Sequence, residues 1–235
     1  MLGRWLRLCL DITFPASCEA CGTALEPGHP IYLCPRCVAL IGPPEGMLCE
    51  RCGAPTAESV SCTGCCRYPP AFSSARAAAW YVAGSPLAAA IQSLKYRRRR
   101  NVAGALGALL AERYPFAADV VLVPVPLHPV RLRARGFNQA LLLARALGRR
   151  LDLPVAARAL LRRRDTRAQP GLDATERREN LREAFRVRAS GAVAGRRVVL
   201  VDDVLTTGAT ADACARALLA AGAVRVDVYT VGRAP

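Results

Sequence analysis

The sequence predicts an α/β fold in which a parallel-sheet domain follows a small cysteine-rich domain. Nine of the eleven cysteines fall between Cys18 and Cys66. From about Phe72 onward, short apolar runs alternate with helix-like segments, as in α/β domains. The 235 residues leave room for one core-forming domain and a small appendage. We therefore expect a cysteine-rich domain with a short N-terminal helix over residues 1–70 and an α/β domain over residues 71–235.

The N-terminal sequence MLGRWLRLCLDITFP predicts a short amphipathic helix and not a secretory signal. Charged residues interrupt its apolar residues, so it lacks the continuous apolar core of a signal peptide. The most apolar stretch of the chain, residues 77–94, is broken by a Gly-Ser-Pro sequence and is not expected to span a membrane. We expect a cytoplasmic protein without membrane insertion.

The clustered cysteines are arranged as C-x-x-C pairs. Two residues between thiolates let both sulfurs face one tetrahedral ion, and two pairs complete a four-cysteine zinc site. A glycine follows Cys21 and Cys52, as a tight knuckle turn requires. The near-repeat predicts two zinc ribbons in tandem with about two structural zinc ions. The predicted ligands are Cys18, Cys21, Cys34, Cys37, Cys49, Cys52, Cys62 and Cys65, with Cys66 as the alternative to Cys65.

Disulfide bonds are the alternative for these cysteines. A reducing compartment and the C-x-x-C spacing favour zinc over disulfides. His29 lies outside the knuckle spacing and is interpreted as a loop residue. Cys9 and Cys214 lie in apolar helical segments and are predicted to be small core residues.

The α/β region begins with two strands and three helices that the pattern predicts in order: a strand over residues 76–82, helices over 86–96 and 101–114, a strand over 119–125 and a helix over 141–150. The loop VPVPLHPVRLRARGFNQA starts where the second strand ends, at the sheet edge where open α/β sheets bind ligands. Its polar residues are expected to meet a pyrophosphate, which arginine can bind bidentately. They are His128, Arg131, Arg133, Arg135 and Asn138, and for His128 a loop-capping role is the alternative.

The segment over residues 161–181, LRRRDTRAQPGLDATERRENL, has almost no apolar periodicity. It is long for a loop in a compact domain, which indicates a lid, a binding loop or a mobile surface segment. As a lid it would place polar side chains over a bound anion: Arg162, Arg163, Arg164, Thr166, Gln169 and Asn180.

The most specific motif is RVVLVDDVLTTGAT near the C-terminus. Residues 198–201 predict a strand buried on both faces, with Asp202 and Asp203 at its carboxyl end. The turn that follows opens a helix ending near residue 221, and its small residues and free amides favour a phosphate. The turn consists of Thr206, Thr207, Gly208, Ala209 and Thr210. The two carboxylates would repel a phosphate, so they suit hydroxyl groups, and an ordinary βα turn with an acidic cap is the alternative.

The net charge is +15, and Lys95 is the one lysine among 33 basic residues. A chain this basic is expected to attract polyanions or a highly charged small substrate. A merely solvated basic surface is the alternative for any single run, such as residues 97–100.

These motifs together resemble the ComF family, which joins a double zinc ribbon to a type I phosphoribosyltransferase-like domain. The similarity rests on the cysteine pairs and on LKYRRRRN, VPVPLHPVRLRARGFNQA, TRAQPGLDATERREN and VVLVDDVLTTGAT. The last of these resembles the binding signature for 5-phosphoribosyl 1-pyrophosphate (PRPP). The resemblance implies that Asp202 and Asp203 position the ribose, that the Thr206–Thr210 turn binds the 5-phosphate, and that Mg²⁺ accompanies PRPP.

The resemblance leaves two hypotheses for function. In the first, the protein is an enzyme that transfers the phosphoribosyl group to a nitrogen nucleophile, and no residue identifies the acceptor base. In the second, it is a competence protein for DNA uptake that binds single-stranded DNA or a helicase-like partner and keeps the PRPP site for regulation or structure. The basic runs lack the interleaved aromatic residues that stacking on bases requires, which weakens the second hypothesis.

Overall fold

The computed structural model describes residues 17–26, 33–57, 60–96, 99–163 and 184–235. The predicted N-terminal helix, Cys9 and His29 lie outside these residues. Most of the predicted lid, including Arg164, Thr166, Gln169 and Asn180, also lies outside them.

The cysteine-rich part consists of two similar knuckle units. Each begins with an isolated antiparallel bridge, Ser17 with Ala24 and Leu48 with Pro55. Each is completed by a five-residue helix, α1 (Pro35–Ala39) in the first and α2 (Thr63–Arg67) in the second. Gly22 and Gly53 have positive φ angles of 74° and 65°, which only glycine adopts without strain. The predicted knuckle glycines are therefore confirmed.

The α/β part contains a four-stranded parallel sheet in the order β1-β6-β5-β2. A separate antiparallel pair joins β3 to β4. In chain order the elements are β1 (Ala75–Trp80), α3 (Pro86–Tyr96), α4 (Val102–Glu112), β2 (Val121–Pro124), α5 (Pro129–Arg135), α6 (Gln139–Leu151), β3 (Leu160–Arg162), β4 (Phe185–Val187), β5 (Arg197–Leu205), α7 (Ala209–Ala220) and β6 (Arg225–Arg233).

The structure differs from the predicted elements in several places. The proline-rich loop contains helix α5, because Pro129 occupies the first helical position and His128 accepts a hydrogen bond from Val130 N at 3.4 Å. Strand β5 continues to Leu205, beyond the predicted end at residue 201, because Asp202 and Val204 stay in register with β6. The first residues of the predicted lid also pair, as strand β3 with β4.

Alternation along β5 divides the core into two layers. Val199 and Val201 pack with α3, α4 and α6 on one face of the sheet. Val198 and Leu200 pack with α7 and the β3–β4 pair on the other face. Cys214 of α7 is fully buried in this second layer, as predicted. Because side chains of a strand alternate between faces, Asp202 continues the α7 side and Asp203 continues the α3 side.

Both knuckle units pack against the α/β part. Arg113 donates to Ile41 O at 2.9 Å, and Arg99 lies 2.9 Å from Glu19 in the first unit. In the second unit, Arg51 O accepts from Ala75 N at 2.7 Å, next to the close approach of Gly53 to Ala75 O. Within the described part of the chain, no helix has the length and apolarity needed to cross a membrane.

Candidate functional site

The acidic pair lies beyond the end of the neighbouring strand. β2 ends at Pro124, which pairs with Val201, and Val125 N donates the next hydrogen bond to Val201 O at 2.9 Å. Residues after Val201 therefore have no strand on the β2 side and face a crevice at the carboxyl edge of the sheet. This is the position where open parallel sheets bind ligands.

Asp203 is buried and paired with the protein's lysine. Asp203 is 4% exposed, and its Oδ2 lies 2.7 Å from Lys95 Nζ on helix α3. Its Oδ1 accepts from Val204 N at 2.9 Å. A carboxylate removed from water needs such partners, because an unpaired buried charge is costly.

Asp202 points to the opposite side of the strand and lines a small cavity. Its Oδ1 accepts from Asp203 N at 2.8 Å. Burial, and secondly the charge of Asp203, raise the pKa of Asp202 well above its ordinary value, and Lys95 offsets this only in part. A carboxylate held in this way is a strong acceptor for hydroxyl donors that enter the cavity.

The turn after β5 forms the rest of the same cavity. Gly208 has a φ angle of 80° and immediately precedes α7, while Thr207 Oγ1 accepts from Ala209 N at 3.4 Å. The cavity has a volume of about 70 Å³ and is lined by Asp202, Thr206, Thr207, Gly208, Ala209 and Thr210, together with Val228 and Thr230 of β6. The amides that open a helix carry partial positive charge. One cavity thus combines a carboxylate at one end with an anion-binding turn at the other.

The polar residues of the predicted pyrophosphate loop have other contacts in this structure. Asn138 caps α6 by accepting from Ala140 N and donates to Val125 O at 3.0 Å. Arg135 donates to Gln139 Oε1 at 2.5 Å, and its guanidinium lies 5.6 Å from the Tyr96 ring centroid. Arg131 and Arg133 are exposed on α5. The capping alternative for His128 agrees with its bond to Val130 N, and a pyrophosphate role for Arg135 and Asn138 stays a prediction.

The cysteines form two separate clusters of four. The first contains Cys18, Cys21, Cys34 and Cys37, and the second contains Cys49, Cys52, Cys62 and Cys65. Within each cluster, all sulfur atoms lie within 4.8 Å of one another. The Sγ atoms of Cys21 and Cys34 are 3.6 Å apart, as are those of Cys52 and Cys62. Tetrahedral zinc with Zn–S distances of about 2.3 Å gives S–S edges of about 3.8 Å, so both clusters fit the ion.

Local contacts also suit bound thiolates. Cys34 N donates to Cys18 Sγ at 3.3 Å. A bond from Thr23 lowers the pKa of the Cys21 thiol to about 6, whereas burial and the neighbouring sulfurs raise the pKa of Cys37 to about 12. Four sulfurs this close do not all ionise without a cation between them. Cys65 is buried in the second cluster, while Cys66 is exposed outside it with its Sγ 3.9 Å from Ser61 O.

Lys95 is the residue of the site that sequence reasoning missed. It lies in a helix about 108 positions before its partner, and a helical pattern does not show which side chain reaches another element. One signal was present: in a chain with 33 basic residues, a single position holds lysine and not arginine. Lysine presents a compact point charge, whereas arginine presents a planar fork, so the two residues are not interchangeable at such a position.

Comparisons with known proteins agree with this architecture. A phosphoribosyl transferase domain model matches residues 138–235, and a double zinc ribbon domain model matches residues 9–66. The DNA utilization protein YhgH of Escherichia coli O157:H7 is 36% identical over 230 residues, covering 94% of this chain and 99% of that protein. Competence protein F of Haemophilus influenzae is 33% identical over 195 residues, covering 79% of this chain and 84% of that protein. A solved glutamine PRPP amidotransferase from B. subtilis, complexed with ADP and GMP, aligns with 59% of this chain and 30% of its own, at 26% identity and a TM-score of 0.41.

Proposed function

Since this chain belongs to the ComF family, in which a double zinc ribbon precedes a phosphoribosyl transferase domain, we propose that it binds PRPP and acts in DNA uptake. One observation carries the PRPP part of the proposal: Asp202 and the Thr206–Thr210 turn line a single cavity. A 5-phosphate fits the turn, and the ribose hydroxyls then reach the carboxylate. We place the boundary between the two domains after residue 70.

The two carboxylates have different tasks in this proposal. Asp202 accepts hydrogen bonds from the ribose hydroxyls, because it lines the cavity. Asp203 is held by Lys95 and supports the position of its neighbour. The Thr207–Ala209 amides and the start of α7 bind the 5-phosphate.

Mg²⁺ fits this site as a companion of the substrate. The described crevice offers one carboxylate that is not already paired with a cation, and Mg²⁺ is usually held by one or two carboxylates together with substrate phosphates. Asp202 would help to hold the ion, which would supply positive charge to offset the pyrophosphate leaving group. The protein's residues hold the ribose and the 5-phosphate.

The reaction that such a site would support is displacement at the ribose carbon. The C1–O bond to pyrophosphate breaks with its electron pair leaving on oxygen, a nitrogen nucleophile forms the new C1–N bond, and its proton passes to solvent. The transition state carries positive charge on the ring, which the nearby carboxylates stabilise. Catalysis would lie mainly in positioning and electrostatic stabilisation.

A second candidate function is a binding protein without turnover. It is supported by the names of the relatives, which describe DNA utilization and competence, and by the net charge of +15. In that case PRPP regulates or stabilises a protein that binds single-stranded DNA or a helicase-like partner in the cytoplasm.

Turnover distinguishes the two candidates. The purified protein is incubated with PRPP and Mg²⁺, with and without a panel of nucleobases and short single-stranded oligonucleotides, and pyrophosphate release is measured. An enzyme releases pyrophosphate above the rate of a protein-free control with at least one acceptor. PRPP binding without release under any condition supports the binding protein, and absence of PRPP binding contradicts both forms of the proposal.

A further inference from the structure

Two segments of the chain are basic and contain no acidic residue of their own, although Arg99 pairs with Glu19 and Lys95 pairs with Asp203 from other segments. Residues 95–111 and 120–151 contain no aspartate or glutamate, and together they carry Lys95, ten arginines at 97–100, 131, 133, 135, 145, 149 and 150, and His128. Helices α4 and α6, which belong to these two segments, pack closely, since a Cβ on Gly107 would overlap Ala146. The fold therefore brings the described parts of these two segments, residues 95–96, 99–111 and 120–151, together on one basic face.

Helix α5 lies on this face without contributing to the core. None of its seven residues is buried, and its sequence PVRLRAR places three arginines among exposed apolar side chains. Val130 and Leu132 are each 41% exposed. A helix with basic and apolar residues and no buried side is suited to an external partner that is both anionic and able to make apolar contact.

The same face presents an aromatic ring. Tyr96, the last residue of α3, is 74% exposed, and the Arg135 guanidinium lies 5.6 Å from its ring centroid. Nearby, the Arg100 guanidinium lies 5.0 Å from the Phe137 ring and donates to Gly136 O. The fold thus places Arg135 beside Tyr96 and Arg100 beside Phe137, although each pair is more than 35 positions apart in the sequence.

This combination is the one that single-stranded nucleic acid requires. Backbone phosphates bind along a basic groove, and bases stack on exposed aromatic rings beside arginine. We propose that Tyr96, helix α5 and Arg100 form a binding surface for single-stranded DNA at the mouth of the crevice. The inference rests on the proposed role in DNA uptake for the identity of the partner, but not on PRPP binding.

The proposed DNA-binding surface lies close to the acidic pair of the candidate site. Tyr96 follows Lys95, which contacts Asp203, and α5 begins five residues after β2 ends. A strand held on this surface therefore passes next to the acidic pair, whose other member, Asp202, lines the cavity proposed for PRPP. The two ligands would occupy adjacent places on one edge of the sheet.

Binding of a fluorescent oligothymidylate to the full chain tests the inference. Tyr96→Ala is expected to weaken binding about five- to a hundredfold, the usual effect of losing one stacked base, and Tyr96→Phe to retain it. Arg133→Ala is expected to lower the slope of log affinity against log salt by about one. Tyr96 and Arg133 are exposed, so both variants are expected to fold.

Matched controls lie elsewhere on the protein. Tyr68 is also exposed, with the Arg67 guanidinium 5.4 Å from its ring, and Arg186 is exposed on β4. Tyr68→Ala and Arg186→Ala should leave oligothymidylate binding unchanged. Unchanged binding in Tyr96→Ala and Arg133→Ala, equal losses in the controls, or equally tight binding of polyglutamate would overturn the inference.

PRPP affinity, measured in parallel, is expected to stay unchanged in Tyr96→Ala, so failure of the DNA surface and failure of the PRPP site are distinguishable.

Discussion

Two adjacent aspartates have different environments because they lie on a strand. Asp203 continues the α3 side of β5 and pairs with Lys95 at 2.7 Å. Asp202 continues the α7 side and lines the cavity with the turn. The pattern DD therefore gives one carboxylate paired with a lysine and one carboxylate that lines a cavity.

The raised pKa of Asp202 predicts a stability cost at neutral pH. A folded-state pKa above the unfolded value of about 3.9 means that the charged form is disfavoured by folding. The cost is absent at acidic pH, where the group is protonated in both states. It grows as pH rises above the unfolded-state pKa and reaches its full value above the folded-state pKa. Asp202→Asn keeps the bond from Asp203 N and removes the charge, so it is expected to raise the melting temperature by a few degrees at pH 8. The gain should disappear below about pH 4.

Thermal unfolding at several pH values checks this prediction. Asp119→Asn, at an exposed position away from the crevice, removes the same charge and should leave the melting temperature unchanged. A lower melting temperature for Asp202→Asn at pH 8 would mean that the carboxylate stabilises the fold and is not held for a ligand.

The sequence alone predicted the acidic pair and the turn. It did not predict that Lys95 of α3 pairs with Asp203. A local motif such as DDVLTTGAT predicts the structure around it, because strand, turn and helix follow one another in the sequence. The Lys95–Asp203 pair depends on how α3 packs on the sheet, and a single sequence does not encode that distance in any local pattern.

At the scale of elements, the second zinc ribbon contacts the Thr206–Thr210 turn through Arg233. Arg233 of β6 donates to Cys52 O at 3.3 Å and to Thr206 O at 2.6 Å, so one guanidinium joins the second cluster to the turn. A cavity of about 400 Å³ separates them, lined by Cys52, Cys65 and Thr207 among others. Loss of the metal in this cluster is expected to loosen the turn as well as the ribbon.

The neighbouring residues Cys65 and Cys66 provide a matched test of the second cluster. Wild type is expected to contain about two zinc ions per chain, Cys65→Ser about one, and Cys66→Ser about two, because only Cys65 faces the other three sulfurs. Cys65→Ser should also lower the melting temperature. Elemental analysis of desalted protein measures the metal content, and a metal-free wild type or loss of zinc in Cys66→Ser alone would contradict the assignment.

Most elements of the α/β part were predictable from apolar periodicity, and α3 was predicted with its observed bounds. Helix α5 was not, because none of its residues is buried and its prolines and arginines are typical of a loop. The continuation of β5 to Leu205 was hidden because the acidic pair ends the apolar run while the hydrogen bonds to β6 continue. Both differences lie at the carboxyl edge of the sheet, where polar and charged residues interrupt the apolar pattern.

At the scale of the whole molecule, the charge is distributed unevenly. The net charge of +15 is concentrated in part on segments without a single acidic residue, while Asp203 lies on the α3 side of the sheet, paired with Lys95. Composition predicted an affinity for polyanions but not its location, because the basic face forms only when α5 and α6 pack beside α3 and α4. In the proposed function, the PRPP site and the single-stranded DNA surface would therefore be neighbours on one edge of the sheet.

The central claim is that Asp202 and the Thr206–Thr210 turn bind PRPP, and calorimetry with PRPP and Mg²⁺ tests it most directly. Asp202→Asn loses charge-assisted hydrogen bonds worth about 1.5 to 3 kcal/mol each, so PRPP affinity should fall roughly ten- to a hundredfold. Thr207→Val should weaken PRPP and ribose 5-phosphate equally, because it acts through the phosphate, while Asp119→Asn should bind as wild type does. The same PRPP affinity in wild type and in both site variants, or no binding by wild type, would contradict the claim and leave the motif as a structural feature of the fold.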